Sequence, residues 1–461
     1  MRDPLLKQFV AECFPLSVSR MESYFSHASF VRAARAPARL DVMGGIADYS
    51  GALVLQYPLA HGAVAGVQTM HDGRVAVASF PACDSDPNGA GVREHHLEAD
   101  QFARLREASY DEARRIFQES APPWVAYLIG PVLVLLREHS PDWRGGLRIA
   151  LCSNAPEGKG IASSAAVETA VFAAGAAALG CDVSGHEAAR LCQIAENRIV
   201  GAPCGIMDQM VSALGRKDRL LALLCQPAEV VGYVEIPKGL ALFGIDSGIR
   251  HAVCGSDYTS VRVGAFMGLR MLSALANGSD SAPWNGYLAN VGVAAFEKEL
   301  GRHLPERISG EAFLNQHGDT TDPVTKVDPK REYAVLKPTA HPIYEHARIR
   351  RFASLLEASA EDQHARVEMG RLMFESHASY SACGLGSEGT DRLVDAVREA
   401  GPQSGLFGAK ITGGGSGGTV AVLARSEAAA EVARIARDYA AQTGRGGTLF
   451  QGSSPGAFSG E

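Results

Sequence analysis

The order of apolar and polar positions divides the chain into strand-like and helix-like stretches. Period-two alternation predicts strands at Val31 to Ala36, Ala63 to Gln68, Val75 to Phe80, Leu147 to Leu151, Leu220 to Leu224 and Ala241 to Asp246. Helical spacing predicts an amphipathic helix over about residues 4 to 28 and a buried one over Trp124 to Arg137, despite Pro131. Trp124 and Tyr127 read as core or as flanks of a nucleotide base. A further helix opens at Ser163. Another follows Ser184-Gly-His-Glu187, which reads as a capping box. Its Ala188, Leu191, Ala195 and Ile199 share one face, with Glu196 at the edge of that face. Gly201 and Pro203 end it, and Asp208 falls in the first turn of the next helix. Helical pattern then runs through Met271 and again from Ile343 to about Phe374. The stretch Pro81 to Gly91 reads as a polar loop, and residues 277–340 as an irregular insertion with short helices.

Three glycine-dense stretches interrupt this pattern. Asn154-Ala-Pro-Glu-Gly-Lys-Gly-Ile-Ala-Ser-Ser-Ala-Ala166 runs from a strand into a helix. Gly158 and Gly160 allow a tight turn close to a ligand, and the free N–H groups of the helix start, with the helix dipole behind them, suit a phosphate. The loop lacks the Gly-Lys-Ser/Thr of a Walker A motif. The alternative is an ordinary loop with an N-cap serine. Ala36 to Gln56 places Arg39 and Asp48 among apolar and small residues, where each needs a partner or a ligand. A structural Arg39–Asp48 pair closing a turn is one possibility. Gly408 to Val422 runs into a strand-like Thr-Val-Ala-Val-Leu, which a flexible linker would not do.

Length changes the picture: 461 residues exceed one compact core, and a shift of character near residue 240 predicts two units, 1–240 and 241–461. The net charge of −7 speaks against a nucleic-acid surface. No apolar run would span a bilayer, and the N-terminus lacks the apolar core of a signal peptide. Nine cysteines without Cys-x-x-Cys spacing suggest free thiols in a reducing, cytoplasmic setting, and the histidines show no zinc-ligand spacing.

The three motifs, in this order, resemble those of the GHMP small-molecule kinases. Gly201-Ala-Pro-Cys-Gly-Ile-Met-Asp-Gln209 and Arg250-His-Ala-Val-Cys-Gly-Ser-Asp-Tyr258 are similar to galactokinase segments. Asp41 to Ser50, Trp284 to Leu288, Asp322 to Lys326 and Gly452 to Ala457 resemble the plant arabinokinase family, through the insertion as well. The resemblance implies an α+β, two-lobed GHMP kinase fold, with a ribosomal S5 domain 2-like N-terminal lobe and a ferredoxin-like C-terminal lobe. It implies that Pro156, Gly158, Lys159, Gly160, Ile161, Ala162, Ser163 and Ser164 wrap ATP, with Gly413, Gly414 and Gly415 closing near the phosphates. Ser164 and Glu196 would hold Mg²⁺. Asp208 would face the attacking hydroxyl with Arg39 beside it, and Asp48, Tyr258 and the Gly205 backbone would bind sugar hydroxyls. Partners would be a small sugar and ATP, with no nucleic acid or membrane, in a monomer or small homo-oligomer.

One departure speaks to the substrate. Galactokinases have Glu-His where this chain has Gly45-Ile46, and that pair reaches the sugar's C6 hydroxyl. Gly45 and Ile46 cannot pair that group, and a buried unpaired hydroxyl costs about 1–3 kcal/mol. L-Arabinose has galactose stereochemistry without the hydroxymethyl arm, so the implied reaction is its phosphorylation at O1. Galactose, fucose and galacturonate remain alternatives, as does drift at Gly45-Ile46 with another residue binding the hydroxyl. Exchange of the pair for Glu-His is expected to favour galactose. Ala162, where the family has glycine or serine, is expected to be neutral. A non-catalytic ATP and sugar sensor, or a related decarboxylase, would fit the fold, but Ser164, Glu196, Asp208 and Tyr258 speak for a kinase.

Overall fold

The computed structural model describes residues 23–25, 30–81, 91–140, 142–250, 256–276, 283–358 and 362–460. The helix expected at about 4 to 28 lies outside these apart from 23–25, as do most of the loop at 81–91 and residues 251–255.

Strand β1 (Val31–Met43) is longer than the alternation of its first residues suggests, because its second half is buried on both faces and no longer alternates. It pairs antiparallel with β2 (Leu53–Met70), with register shifts at Pro37/Arg39 and Asp41/Met43. Then come β3 (Val75–Phe80) and β4 (Arg93–Leu97). Two charge-rich helices that the pattern did not reveal follow, α1 (Ala99–Glu107) and α2 (Tyr110–Ser120). The buried helix α3 (Pro123–His139) carries Pro131 within it. Next are β5 (Gly146–Ser153), α4 (Ser163–Leu179), α5 (Gly185–Ile194) and α6 (Met207–Leu214), then β6 (Arg219–Leu224) and β7 (Glu229–Glu235). These strands form one seven-stranded sheet in the order β4-β3-β5-β2-β6-β7, with β1 also on β2. Only β3–β5 is parallel among its pairs. Helices α3 and α4 cover one face, giving a core of Val132, Leu135, Val171, Phe172 and their neighbours.

Strand β8 (Leu240–Asp246) begins a second sheet. Helix α7 (Ser256–Leu275) leads into the insertion, whose described part contains a two-stranded ladder, β9 (Arg307–Ser309) with β10 (Glu332–Ala334), and α8 (Gly310–His317) between them. The helical pattern expected from Ile343 to Phe374 is two helices, α9 (Leu336–Ala358) and α10 (Gln363–Ala382). After α11 (Glu388–Ala400) come β11 (Leu406–Ile411), β12 (Thr419–Arg425), α12 (Ala429–Thr443) and β13 (Leu449–Phe450). The second sheet runs β11-β12-β8-β13, all antiparallel. The two sheets meet through an apolar cluster that joins Leu40, Leu55 and Ile161 to Leu242, Met369 and Phe407.

Two local expectations change. Ser184 does cap α5, accepting from the Glu187 N–H, but the Glu187 carboxylate reaches His139 at 3.3 Å. Beyond Ile194 the helix widens into a π turn, Ala195–Val200, that ends at a left-handed Gly201. That widening turns Glu196 inward, to 4% exposure, so it is a buried acid and not an edge carboxylate.

Candidate active site

The site is assembled around β1. Arg39 projects from the bulged part of that strand and is 2% exposed. Its Nε donates to Asp208 Oδ1 at 2.8 Å and its Nη2 to Asp208 Oδ2 at 3.0 Å, a bidentate pair. Its Nη1 donates to the Gly160 carbonyl at 2.7 Å, and its backbone N–H to the Ile161 carbonyl at 2.9 Å. One guanidinium therefore ties the aspartate at the start of α6 to the glycine loop before α4. The alternative partner, Asp48, is not its ion pair. The Asp208 side chain keeps 20% exposure, so one side of it is open.

The loop itself turns at Gly158 (φ +72°) and Gly160 (φ +69°). Lys159 is held by Asp246 at the end of β8, 2.8 Å away. Arg250 lies against Gly158, where a Cβ would fall 2.8 Å from the Arg250 Cγ. Arg93 links the loop outward, to Glu157 at 3.5 Å and over the Trp124 ring at 5.3 Å. Trp124 and Tyr127 pack at the rim of the core. The third glycine motif lies directly on the loop: a Cβ at Gly413 would fall 2.7 Å from the Gly160 carbonyl oxygen, and one at Gly418 the same distance from that of Lys159. Gly415 turns at φ +81° beside Gly414. Ala162 stands as the N-cap of α4 at φ 56°, ψ 46°. A left-handed backbone disfavours an L-residue in general, which makes the expected neutrality of alanine there a matter for a stability measurement.

Ser164 lies beside Glu196. Burial raises the Glu196 carboxyl to about 7, the Ser164 hydroxyl works against that, and Gln209 Nε2 donates to it at 2.5 Å. Burial, then the nearby Glu196, pushes Glu168 on α4 well above the carboxylate range. Among the described residues neither acid pairs with a basic side chain and no cluster of three or more His, Cys, Asp or Glu is placed to hold a metal ion; what Ser164 and Glu196 offer is hard oxygen atoms, the type a divalent cation takes. Glu168 was missed in the sequence; an acid inside an otherwise Ala-Val-Thr helix was the available signal.

The sugar motif forms a 3-10 turn, Gly45–Ser50. Asp48 accepts from the Tyr49 N–H at 2.6 Å. Burial, then Asp208, raises its carboxyl to about 7, with Arg262 opposing. Gly205 is required here, since a Cβ would overlap Asp48 Oδ2 at 1.6 Å. Tyr258 of α7 packs beside them, its ring 6.1 Å from that of Tyr49. One turn on, Arg262 pairs with Asp322 of the insertion at 2.7 and 2.8 Å and donates to the Cys204 carbonyl at 3.2 Å. The insertion thus braces the Cys204–Gly205 backbone from behind. Its Asn290 pairs with Gln226, which also donates to the Gly51 carbonyl at 2.7 Å. Ile46 is buried in a cluster with Tyr258, Tyr380, Leu385 and Ile411. Gly45 has no room for a side chain, since a Cβ would fall 1.3 Å from Tyr380 Oη. A simple exchange of Gly45-Ile46 for Glu-His is therefore sterically blocked.

Fold and motif arrangement define the class. Residues 126–216 match the GHMP kinases N terminal domain and residues 353–442 the GHMP kinases C terminal domain, so the chain carries both domains of the GHMP kinase fold. Over 475 residues it is 41% identical to the L-arabinokinase of Arabidopsis thaliana, covering 92% of this chain and 46% of that protein, so it spans about half of that relative. The galactokinase of Chloroflexus aurantiacus is 29% identical over 426 residues, 92% of either chain. The crystal structure of Lactococcus lactis galactokinase complexed with galactose shares the fold, with a TM-score of 0.71 at 18% identity over 98% of each chain. Among the described residues no helix is long and apolar enough to cross a membrane.

Proposed function

We propose that the chain is an ATP- and Mg²⁺-dependent anomeric sugar kinase that converts L-arabinose and ATP to L-arabinose 1-phosphate and ADP. The observation that carries the kinase reading is the Arg39 guanidinium, bonded at once to Asp208 and to the glycine loop. Phosphoryl transfer needs an acceptor hydroxyl and a γ-phosphate fixed in line, and little covalent help. Arg39 sets Asp208 and the loop at a fixed offset. The loop N–H groups and the start of α4 cradle the phosphates, with Lys159 and Arg250 nearby and Gly413 to Gly415 closing over them.

Asp208 accepts the proton of the anomeric hydroxyl as O1 bonds to the γ-phosphorus and the bond to ADP breaks. Asp48, Tyr258 and the Gly205 backbone orient the sugar ring. Ser164 and Glu196 would hold Mg²⁺, which neutralises developing phosphate charge. The preference for L-arabinose rests on Gly45-Ile46, a pair that offers no polar side chain to a C6 hydroxyl, and agrees with the likeness to the plant L-arabinokinase. The test is ATP consumption with L-arabinose, galactose, fucose and galacturonate in parallel. L-Arabinose is expected to give the highest kcat/KM. Galactose ahead of it overturns the pentose assignment alone; no consumption with any sugar overturns the kinase.

A further inference from the structure

Gly45 opens the sugar motif's turn at φ +46°, and the space its side chain would fill is already taken. A Cβ there would fall 1.3 Å from Tyr380 Oη and 2.6 Å from its Cζ. Tyr380 is fully buried and cannot swing aside. Its hydroxyl donates to the Gly413 carbonyl at 2.9 Å and accepts from the Ile46 N–H at 2.9 Å. Its ring sits edge-on to His341 at 5.2 Å, with the Lys410 ammonium 5.2 Å away over its face. From the other side, Asp41 Oδ1 accepts from the Gly45 N–H at 2.9 Å and fixes the turn against the phenol. The Tyr380 hydroxyl thus bonds both the sugar motif's turn and the third glycine motif.

We propose that Tyr380 is a specificity-determining residue, acting with Gly45: its phenol occupies the position from which residue 45 would project and pins Ile46 as the apolar wall. Tyr380 is a positioning residue, since it reaches the sugar through Ile46 and not directly. The inference rests on the sugar-kinase reading. A polar group aimed at an exocyclic arm needs two changes, one at 45 and one at 380, and the first without the second is a collision.

The experiment places Gly45→Glu in the wild type and in Tyr380→Ala, with kcat/KM for L-arabinose and galactose, KM for ATP and melting temperature measured on each. In the wild type Gly45→Glu is expected to lower kcat/KM for both sugars by ~100-fold and to lower the melting temperature. In the Tyr380→Ala background it is expected to cost less than ~10-fold, and to raise the galactose to L-arabinose ratio by ~10-fold, with the KM for ATP little changed. Gly45→Ala, which adds only the colliding Cβ, gives the same comparison if the glutamate variant does not fold. Equal costs of the change at 45 in both backgrounds, in an enzyme active on L-arabinose, overturn the role of Tyr380. A shared relief of the cost with no movement of the sugar ratio reduces Tyr380 to packing and overturns the specificity claim. A wild type inactive on L-arabinose removes the pentose reading and this role with it, while the melting-temperature coupling still reports the collision.

Discussion

Strand β1 carries two buried charges, Arg39 and Asp41, two positions apart, and they are used in opposite ways. Arg39 pairs with Asp208, which is left 20% exposed and open on one side. Asp41 pairs with Lys410 of β11 at 2.6 Å, with both side chains sealed from solvent. Asp41 also accepts from Gln56 and from the Gly45 N–H. Burial alone would raise its carboxyl, but Lys410 and then Arg39 outweigh that and hold it below the ordinary carboxylate value. The first pair presents a carboxylate to a visitor. The second joins the two sheets and fixes the turn on which the sugar motif stands. An unsatisfied side marks a pair that works on something else; a closed shell marks one that holds the fold.

The comparison breaks most visibly at Asp208. Asp208→Asn keeps the size and can still accept from Arg39, but cannot take a proton. Turnover is expected to fall ~10²–10⁴-fold while ATP still binds, with a lowered melting temperature because the buried Arg39 loses its counter-charge and one acceptor. Turnover close to wild type would leave Arg39–Asp208 as a second structural pair.

Lys410→Met tests the other side. It leaves Asp41 charged and unpaired in the core, a loss of about 3–5 kcal/mol by denaturant unfolding. The sign with pH follows from the lowered Asp41 value. In the wild type that carboxylate contributes stability above the ordinary carboxylate range, which is lost only as pH falls through the folded value. Without Lys410, Asp41 takes up a proton at higher pH, so the gap between variant and wild type is expected to be widest near neutrality and to narrow in acid. A gap independent of pH would mean that packing, not charge, is what Lys410 supplies.

Much of the first pair was legible in the sequence, and little of the second. Asp208 sat at a helix start and Arg39 in an apolar motif, so each was conspicuous locally. Asp41 and Lys410 lie 369 residues apart, and Ile46 and Tyr380 334 apart. Periodicity reports which face a residue takes, not which distant residue it meets. Arg262–Asp322 escaped for the same reason, although the Asp322 segment stood out within the insertion. Helices α1 and α2 were unread because their apolar faces are narrow, with only Phe102 and Leu105 buried in the first and Ala113 and Phe117 in the second. On a regular helix Glu196 falls at the edge of the apolar face, and the π turn that moves it inward leaves no mark in the periodicity.

The smallest expected effect falls at the junction of loop and helix that Arg39 grips. Ala162 accepts a hydrogen bond from the Ala166 N–H at 3.2 Å and so begins α4, but does so from a left-handed backbone. That conformation costs an alanine about 1–2 kcal/mol, while glycine there would lose about 0.4–1 kcal/mol to the freedom of its unfolded chain. Ala162→Gly is therefore expected to stabilise the protein, by about 1 kcal/mol or less, with the KM for ATP unchanged because the loop's amides stay where they are. A melting temperature below wild type would show that the left-handed turn is relieved by its surroundings. A raised KM for ATP at unchanged stability would show instead that the alanine methyl, and not only Arg39, keeps the loop rigid.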